Sequence, residues 1–251
     1  MQLVIEKDAD SLGRAAADLI ARRMNEAIAQ NGEVRMILST GASQFETLAA
    51  LVREPVDWEK VTIFHLDEYV GLPETHPASF RRYLRERVLS KVPVGQAYLV
   101  DGEGDVEKNL RELTEKLCEK PINVGVIGIG ENAHIAFNDP PADFETKESF
   151  HIVHLDDRCR RQQFREGWFP DLDAVPRVAV SMTPYRIMQC GCIVSSVPHS
   201  EKAEAVYRTL SAEKTTNLIP ATLLRAHGDW HLFLDQDSAS LCGGDVLAQY
   251  R

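Results

Sequence analysis

The chain lacks any long apolar run, any excess of positive charge and any ordered cysteine spacing. Each absence excludes a class of protein. No stretch approaches the ~18 consecutive apolar residues of a membrane span, and the first residues, MQLVIEKDAD, carry no basic segment ahead of an apolar one. A soluble, cytoplasmic protein is expected. Lys and Arg together number 28 against 38 Asp and Glu, a net charge of −10, so the basic face that a nucleic acid requires is not available. A small anion is still within reach of a few local donors and helix ends. The five cysteines, Cys118, Cys159, Cys190, Cys192 and Cys242, are odd in number and show no paired metal-ligand spacing. Cys190 and Cys192 sit in an apolar run and read as small buried thiols in a reducing compartment. No repeat, low-complexity tract or linker interrupts the 251 residues. A chain of that length buries roughly 70–75% of its unfolded surface without staples, and residues 1–251 are expected to form one α/β domain.

What is present centres on Asn123 to Pro141, NVGVIGIGENAHIAFNDPP. Asn123 to Gly130 is apolar without polar alternation, as suits a central parallel strand covered on both faces. Gly128 and Gly130 end it, and a polar turn with Glu131, Asn132, His134, Asn138 and Asp139 follows. Ionisable groups just past a buried strand belong to the ligand-binding edge of an α/β sheet. A loop histidine flanked by Asn and Asp also serves as a hydrogen-bonded structural corner, so this stretch alone leaves both readings open.

In chain order, Met1 to Ile5 reads as a strand, and Asp10 or Ser11 caps an amphipathic helix through about Gln30, with Leu12, Ala16, Leu19, Ile20, Met24 and Ile28 on one face. Strand Val34 to Leu38 runs into Ser39, Thr40, Gly41, Ala42, Ser43 and Gln44 ahead of a helix from Phe45 to Val52. Free backbone N–H groups and a helix dipole make such a turn a phosphate cradle. It lacks the lysine of a P-loop and the spaced glycines of a dinucleotide site, which disfavours nucleotides. Strand Val61 to Leu66 delivers Asp67 and Glu68, and because neighbouring strand residues point opposite ways, Asp67 is favoured to face the cleft. Ser79 to Ser90 reads as a helix with Arg81, Arg82, Arg85 and Arg87 on a solvated face or a subunit contact. Strand Ala97 to Val100 and helix Val106 to Cys118 precede the central strand. After the polar turn come strand Ser149 to Leu155, helix Asp157 to Glu166, strand Val178 to Met182, helix Thr183 to Met188 and strand Cys190 to Val197. His151 and His154 would fall on opposite faces of their strand, a poor metal pair. A helix from Ser200 then places Lys202 in its first turn, where a cation opposes the macrodipole unless an anion sits beside it. Helix Ile219 to Ala226 and strand Trp230 to Leu234 close a mostly parallel, three-layer arrangement. Trp58, Trp168 and Trp230 are expected as core or interface anchors rather than sugar platforms.

Several of these stretches together resemble the glucosamine-6-phosphate deaminase (isomerase) family. They are LSTG at Leu38–Gly41, HLDEYVGLP at His65–Pro73 with His76, Pro77 and Ser79, GIGENAHIAFNDP at Gly128–Pro140, and SEKA at Ser200–Ala203. They follow the family's order across about residues 35–235. The resemblance implies a Rossmann-like α/β sheet of the type shared with ribose-5-phosphate isomerase and the CoA transferases. It also implies a small-molecule sugar phosphate as substrate, and aldose–ketose isomerisation coupled to loss of ammonia without metal or cofactor. Carried over by position, the base between C1 and C2 falls on Asp67, the ring-opening histidine on His134 and its orienting acid on Asp139. The phosphate falls against Thr40, Gly41, Ala42 and Ser43 with Lys202, and Glu68 and Gly128 complete the expected contacts. A carboxylate can shuttle a proton between adjacent carbons, and an imidazole can move the ring-oxygen proton.

The departures from the family's pattern are specific. Asn132 stands where deaminases carry Asp, Asp139 where they carry Glu, and Ala133 where they carry Gly. An amide orients the imidazole but adds no charge to its protonated form, so slower ring opening is expected. A second phosphate-binding Arg of the family falls near Gln163, with Arg160, Arg161 and Arg165 as candidate substitutes. Ala142 to Ser149 shows no counterpart of the family's allosteric segment, so no amino-sugar effector site is expected. Rival readings are a non-deaminating isomerase, a 6-phosphogluconolactonase-like hydrolase and a non-catalytic sugar-phosphate sensor. No nucleic-acid or membrane partner is expected, and a homo-oligomer is left open.

Overall fold

Largely apolar stretches of the chain become the strands of a parallel sheet, in a computed structural model that describes residues 1–250. In chain order the elements are β1 (Gln2–Glu6), α1 (Ala9–Asn31), β2 (Val34–Leu38), α2 (Phe45–Leu51), β3 (Val61–His65), β4 (Asp67–Tyr69), α3 (Phe80–Leu84), β5 (Gln96–Tyr98) and α4 (Val106–Cys118). They continue with β6 (Val124–Val126), β7 (Phe150–His154), α5 (Asp157–Arg165), β8 (Val178–Met182), α6 (Pro184–Ile187), β9 (Cys192–Val197), α7 (Ala203–Ser211) and β10 (Trp230–Asp235). Seven strands pair in the order β1-β10-β9-β6-β2-β3-β5, every pairing parallel, with β6 in the middle.

Alternation along the strands produces the three layers. Met36 and Leu38 of β2 pack with Leu12, Ile20 and Met24 of α1 and Leu48 of α2 on one face. Ile37, between them, packs on the other face with Leu117 of α4 and Val206 and Leu210 of α7. Successive strand side chains point to opposite faces, so a strand buried on both sides carries apolar residues at odd and even positions alike, and the polar Arg35 of β2 is accommodated by donating to the carbonyls of Lys116, Leu117 and Lys120. The first helix is capped earlier than the expected Asp10 or Ser11: Asp8 accepts from the Ser11 N–H at 2.7 Å, and Gly32 ends it at φ 79°, a left-handed conformation that glycine adopts without cost. The expected central strand is shorter than its apolar run, because only Val124–Val126 pairs and Ile127 to Gly130 already turn toward the site.

A second, antiparallel sheet of order β4-β8-β7 stands beside the parallel one, and its first strand, Asp67–Tyr69, was not expected from the sequence. It starts immediately after β3, so the chain passes from one sheet to the other between His65 and Asp67. Its aromatic underside, Tyr69, Phe137 and Phe169, forms a separate small core, with Tyr69 and Phe137 rings 5.4 Å apart.

The fold corrects one member of the expected solvated arginine face, Arg81, while Arg82, Arg85 and Arg87 remain at least partly exposed. The helix after Ser79 is α-helical only over Phe80–Leu84 and widens into a π turn over Arg85–Leu89, and Arg81 is buried. Its guanidinium donates to Asp101 and to Glu103, each at 2.8 Å, to the Leu72 carbonyl at 3.0 Å, and lies 3.4 Å from Glu68. Trp58 and Trp230 are buried in the main cores and Trp168 packs on the small one.

Candidate active site

The loops leaving the C-terminal ends of β2, β3, β6 and β9 converge on one cavity with about 530 Å3 of empty space, its mouth included. This is the edge at which open parallel sheets hold ligands. Its lining brings together Thr40, Gly41, Ala42, Ser43, Asp67, Gly128, His134 and Lys202 from distant parts of the sequence.

The small-residue turn after β2 is held from both sides. Gly41 sits at φ 99°, its carbonyl accepts from the Tyr83 hydroxyl at 3.0 Å, and buried Gln44 donates to the Ser196 carbonyl at 3.1 Å. The backbone N–H groups of Thr40 and Gly41 donate to no backbone acceptor among the described residues. Oriented donors without partners are what an anion needs. Lys202 enters the same space from the turn before α7. Burial lowers its pKa, opposed by the negative charges of Glu166, Glu131 and Glu201.

Asp67 opens β4 and is 6% exposed. Burial first, and the Glu68 carboxylate second, push its carboxyl up to about 8. Glu68 points the other way, as strand alternation requires, and this corrects its assignment as a substrate ligand. It accepts from the Ser79 hydroxyl at 2.7 Å, from Arg81 N–H at 3.0 Å and from Tyr69 N–H at 3.0 Å. It therefore ties β4 to α3 instead of reaching the cavity.

The turn after β6 holds the imidazole. His134 Nδ1 lies 3.1 Å from Asp139 Oδ1. Asn132 bridges the two residues, donating from its amide to Asp139 at 2.8 Å and accepting from the His134 backbone N–H at 3.0 Å. Burial raises the Asp139 pKa, but the imidazole, the Asn132 amide and the Asp156 N–H together outweigh it and hold the carboxyl below its ordinary value. Asn138 is the structural member of the turn: its amide donates to Ile135 O and Met182 O, both at 2.8 Å, and fastens the turn to β8. Ala133 occupies φ 68°, a left-handed region that costs a residue with a Cβ ~1 kcal/mol or more. Gly130 cannot be replaced cheaply, since a Cβ there would lie 2.1 Å from His134 Nε2. Gly130→Ala is expected to displace the imidazole and lower turnover about 100-fold with an unchanged fold. Steady-state kinetics beside circular dichroism checks this, and wild-type turnover would refute the geometry.

Among the arginines offered as substitutes near Gln163, Arg160 is buried against the carbonyls of Leu172 and Val175, Arg165 pairs with Glu131, and Arg161 does not line the cavity. Gln163 does line it. Phe80, Phe137, Gln162 and Glu166 also line it without having been singled out in the sequence. Only Phe137, inside the His134 motif, offered a signal. Among the described residues, two groups have metal-ligating side chains close together. His134, Asp139 and Cys159 belong to this site, and Cys192, Asp229 and His231 lie at the start of β9 and β10, where Arg23 already holds Asp229 at 3.0 Å.

Comparison with known proteins shows the family to which the chain belongs. Residues 7–232 match the family described as glucosamine-6-phosphate isomerases/6-phosphogluconolactonase. A glucosamine-6-phosphate deaminase of Lactobacillus delbrueckii subsp. bulgaricus is 32% identical over 96% of this chain and 99% of its own. The structure of a monomeric glucosamine-6-phosphate deaminase superposes with a TM-score of 0.87 at 27% identity, covering 96% of this chain and all of the other. A 6-phosphogluconolactonase from Trypanosoma brucei shares the fold at a TM-score of 0.77 and 17% identity, over 96% and 98% of the two chains.

Proposed function

Because the chain belongs to the family of glucosamine-6-phosphate isomerases and 6-phosphogluconolactonases, we propose that it converts glucosamine 6-phosphate, or a close amino-sugar phosphate, to fructose 6-phosphate and ammonia in the cytoplasm. The observation that carries this reading is the convergence of Asp67 and His134 on one cavity beside the Thr40–Ser43 turn and Lys202. The phosphate rests on the turn's free N–H groups and the Lys202 ammonium. His134 moves the proton of the ring oxygen as the sugar opens, and the Asp139 carboxylate beside Nδ1 stabilises the protonated ring. Asn132 supplies orientation without charge. Asp67 takes the proton from C2 and returns it to C1 while a second proton passes from the amino nitrogen to the former aldehyde oxygen, which turns the 2-amino aldehyde into a C2 imine with a C1 hydroxyl. Water adds to that imine and ammonia leaves. A carboxyl raised to about 8 is a stronger base than an ordinary aspartate when ionised.

The test is incubation of the purified protein with glucosamine 6-phosphate, measuring ammonia and fructose 6-phosphate, with a 6-phosphogluconolactone hydrolysis assay in parallel. Equimolar ammonia and ketose are expected. Lactone hydrolysis alone would move the chain to the other branch of its family, and saturable binding without either product would mark a sugar-phosphate sensor.

A further inference from the structure

Cys159, in the first turn of α5, is 1% exposed and takes no part in the proposed reaction. Two hydrogen bonds place it. Its backbone N–H donates to the Asp156 carboxylate at 2.6 Å, which caps the helix, and the Asp156 N–H donates to Asp139 at 3.4 Å, which fastens the cap to the turn after β6. The Cys159 sulfur, an Asp139 oxygen and a His134 ring nitrogen consequently all lie within 4.8 Å of one another. Nδ1 of His134 is the unsatisfied member of the group. It stands 3.1 Å from Asp139 Oδ1, yet the two are not aligned for a hydrogen bond, and this enclosed nitrogen has no hydrogen-bond partner among the described residues. Buried polar atoms are as a rule paired. This one is short of a partner where a carboxylate and a thiol meet, and no lysine or arginine among the described residues lies within ion-pair distance of that carboxylate. The cluster of Cys192, Asp229 and His231 is different: Arg23 lies 3.0 Å from Asp229, and His231 is hydrogen-bonded to the same carboxylate at 2.7 Å, so its charge and its ring are already matched within the protein.

We infer that His134 Nδ1, Asp139 and Cys159 form a binding site for a borderline-soft divalent cation of the zinc type, and that the bound ion switches the active site off. One nitrogen, one oxygen and one sulfur make a donor set that suits zinc and disfavours magnesium and calcium. Ligand atoms on a tetrahedral zinc stand about 3.3–3.8 Å apart, given bonds of ~2.0 Å to nitrogen or oxygen and ~2.3 Å to sulfur. Small side-chain rotations therefore close the three groups on the ion, and water takes the fourth position. Nothing is oxidised or reduced: the zinc–sulfur bond forms as the thiol proton passes to water, and any proton on Nδ1 leaves the same way. With zinc on Nδ1, the opposite nitrogen Nε2 holds the one remaining ring proton and has no lone pair to take another, while the Asp139 charge is engaged by the metal. His134 can then no longer accept the ring-oxygen proton of the sugar. Binding of the ion is independent of the proposed reaction, and only its effect on turnover rests on that reading.

The probe is the metal alone. Zinc is titrated into the wild type by calorimetry in phosphate-free buffer, and cobalt(II), which reports a bound thiolate through a sulfur-to-metal absorption band, is titrated in parallel. One equivalent is expected to bind with micromolar or tighter Kd and to produce the band. Cys159→Ser and Cys159→Ala are expected to lose the band and to bind zinc about 100-fold more weakly, with melting temperature as the check of fold. Cys118→Ser, at an exposed thiol, and Cys192→Ser, in the other cluster, are expected to keep both. Ammonia release by the wild type should fall about 10-fold or more at saturating zinc and return on addition of EDTA. Each variant is compared with its own metal-free rate, and Cys159→Ser should need about 100-fold more zinc for the same loss. A wild type without saturable zinc binding or without the thiolate band overturns the site, as does loss of the band in Cys118→Ser or Cys192→Ser, or its retention in a folded Cys159 variant. Zinc bound with undiminished ammonia release overturns the switching role. A wild type without turnover in the absence of metal counts against the proposed function instead, and the metal titrations then decide the site by themselves.

Discussion

Asp67→Asn is expected to reduce ammonia release about 1,000-fold or more while substrate still binds, because the amide retains the shape of the carboxyl but cannot accept the C2 proton. The pH dependence follows from the same group. With the carboxyl pushed up to about 8 by burial and by Glu68, kcat/KM of the wild type should climb with pH up to that region, the free protein being active when Asp67 is ionised. Stability should move the opposite way. An aspartate in the unfolded chain releases its proton near 3.8, whereas the folded protein holds it to about 8. Between those values the folded state binds more protons, so rising pH weakens it. Asn carries no such proton, and the melting temperature of Asp67→Asn should exceed that of the wild type near pH 8, the gap closing toward pH 4. A variant that keeps wild-type turnover would remove Asp67 from the chemistry. A gap that does not change with pH would mean that its carboxyl titrates normally.

The largest loss of stability is expected from Arg81→Ala, about 3–5 kcal/mol in urea unfolding. Arg81 is buried against Glu68, which is wholly enclosed. Truncation leaves that carboxylate inside the protein without its cation, although the Ser79 hydroxyl and the N–H groups of Tyr69, Phe80 and Arg81 still donate to it. The partners Asp101 and Glu103 are half-exposed and water can take over their share. A cost under about 1 kcal/mol would place Arg81 with ordinary surface pairs. Turnover should also fall, because Glu68 and Asp67 are neighbours on β4 and a loosened Glu68 shifts the base.

Much of the parallel sheet was readable because burial on both faces leaves a local mark. Val34 to Leu38, Val61 to His65 and Cys192 to Val197 carry apolar residues at both odd and even positions, broken only by Arg35, Thr62, His65, Ser195 and Ser196, a pattern that suits strands covered on both sides. The second sheet left no such mark. β4 has three residues, two of them acids, and its pairing with β8, more than 100 residues on, is invisible to any local pattern. The role of Glu68 was hidden for the same reason: an acid beside a catalytic candidate and an acid holding an arginine look alike until Arg81 is seen folding back onto it. Alternation did single out Asp67 correctly as the one of the two that faces the cavity. The left-handed backbone at Ala133 shows why a family pattern can place Gly there, whereas the alanine by itself suggested only a substitution.

The short step from His65 to Asp67 gives the molecule a division of labour. The Thr40–Ser43 turn and the imidazole hang from the broad parallel sheet, and the Asp67 carboxyl hangs from the narrow antiparallel one. On the proposed reading, grip and ring opening share one scaffold and the proton shuttle between carbons stands on the other, so descent could rebuild the narrow one for a new reaction while the proposed hold on a phosphorylated sugar passes down unaltered.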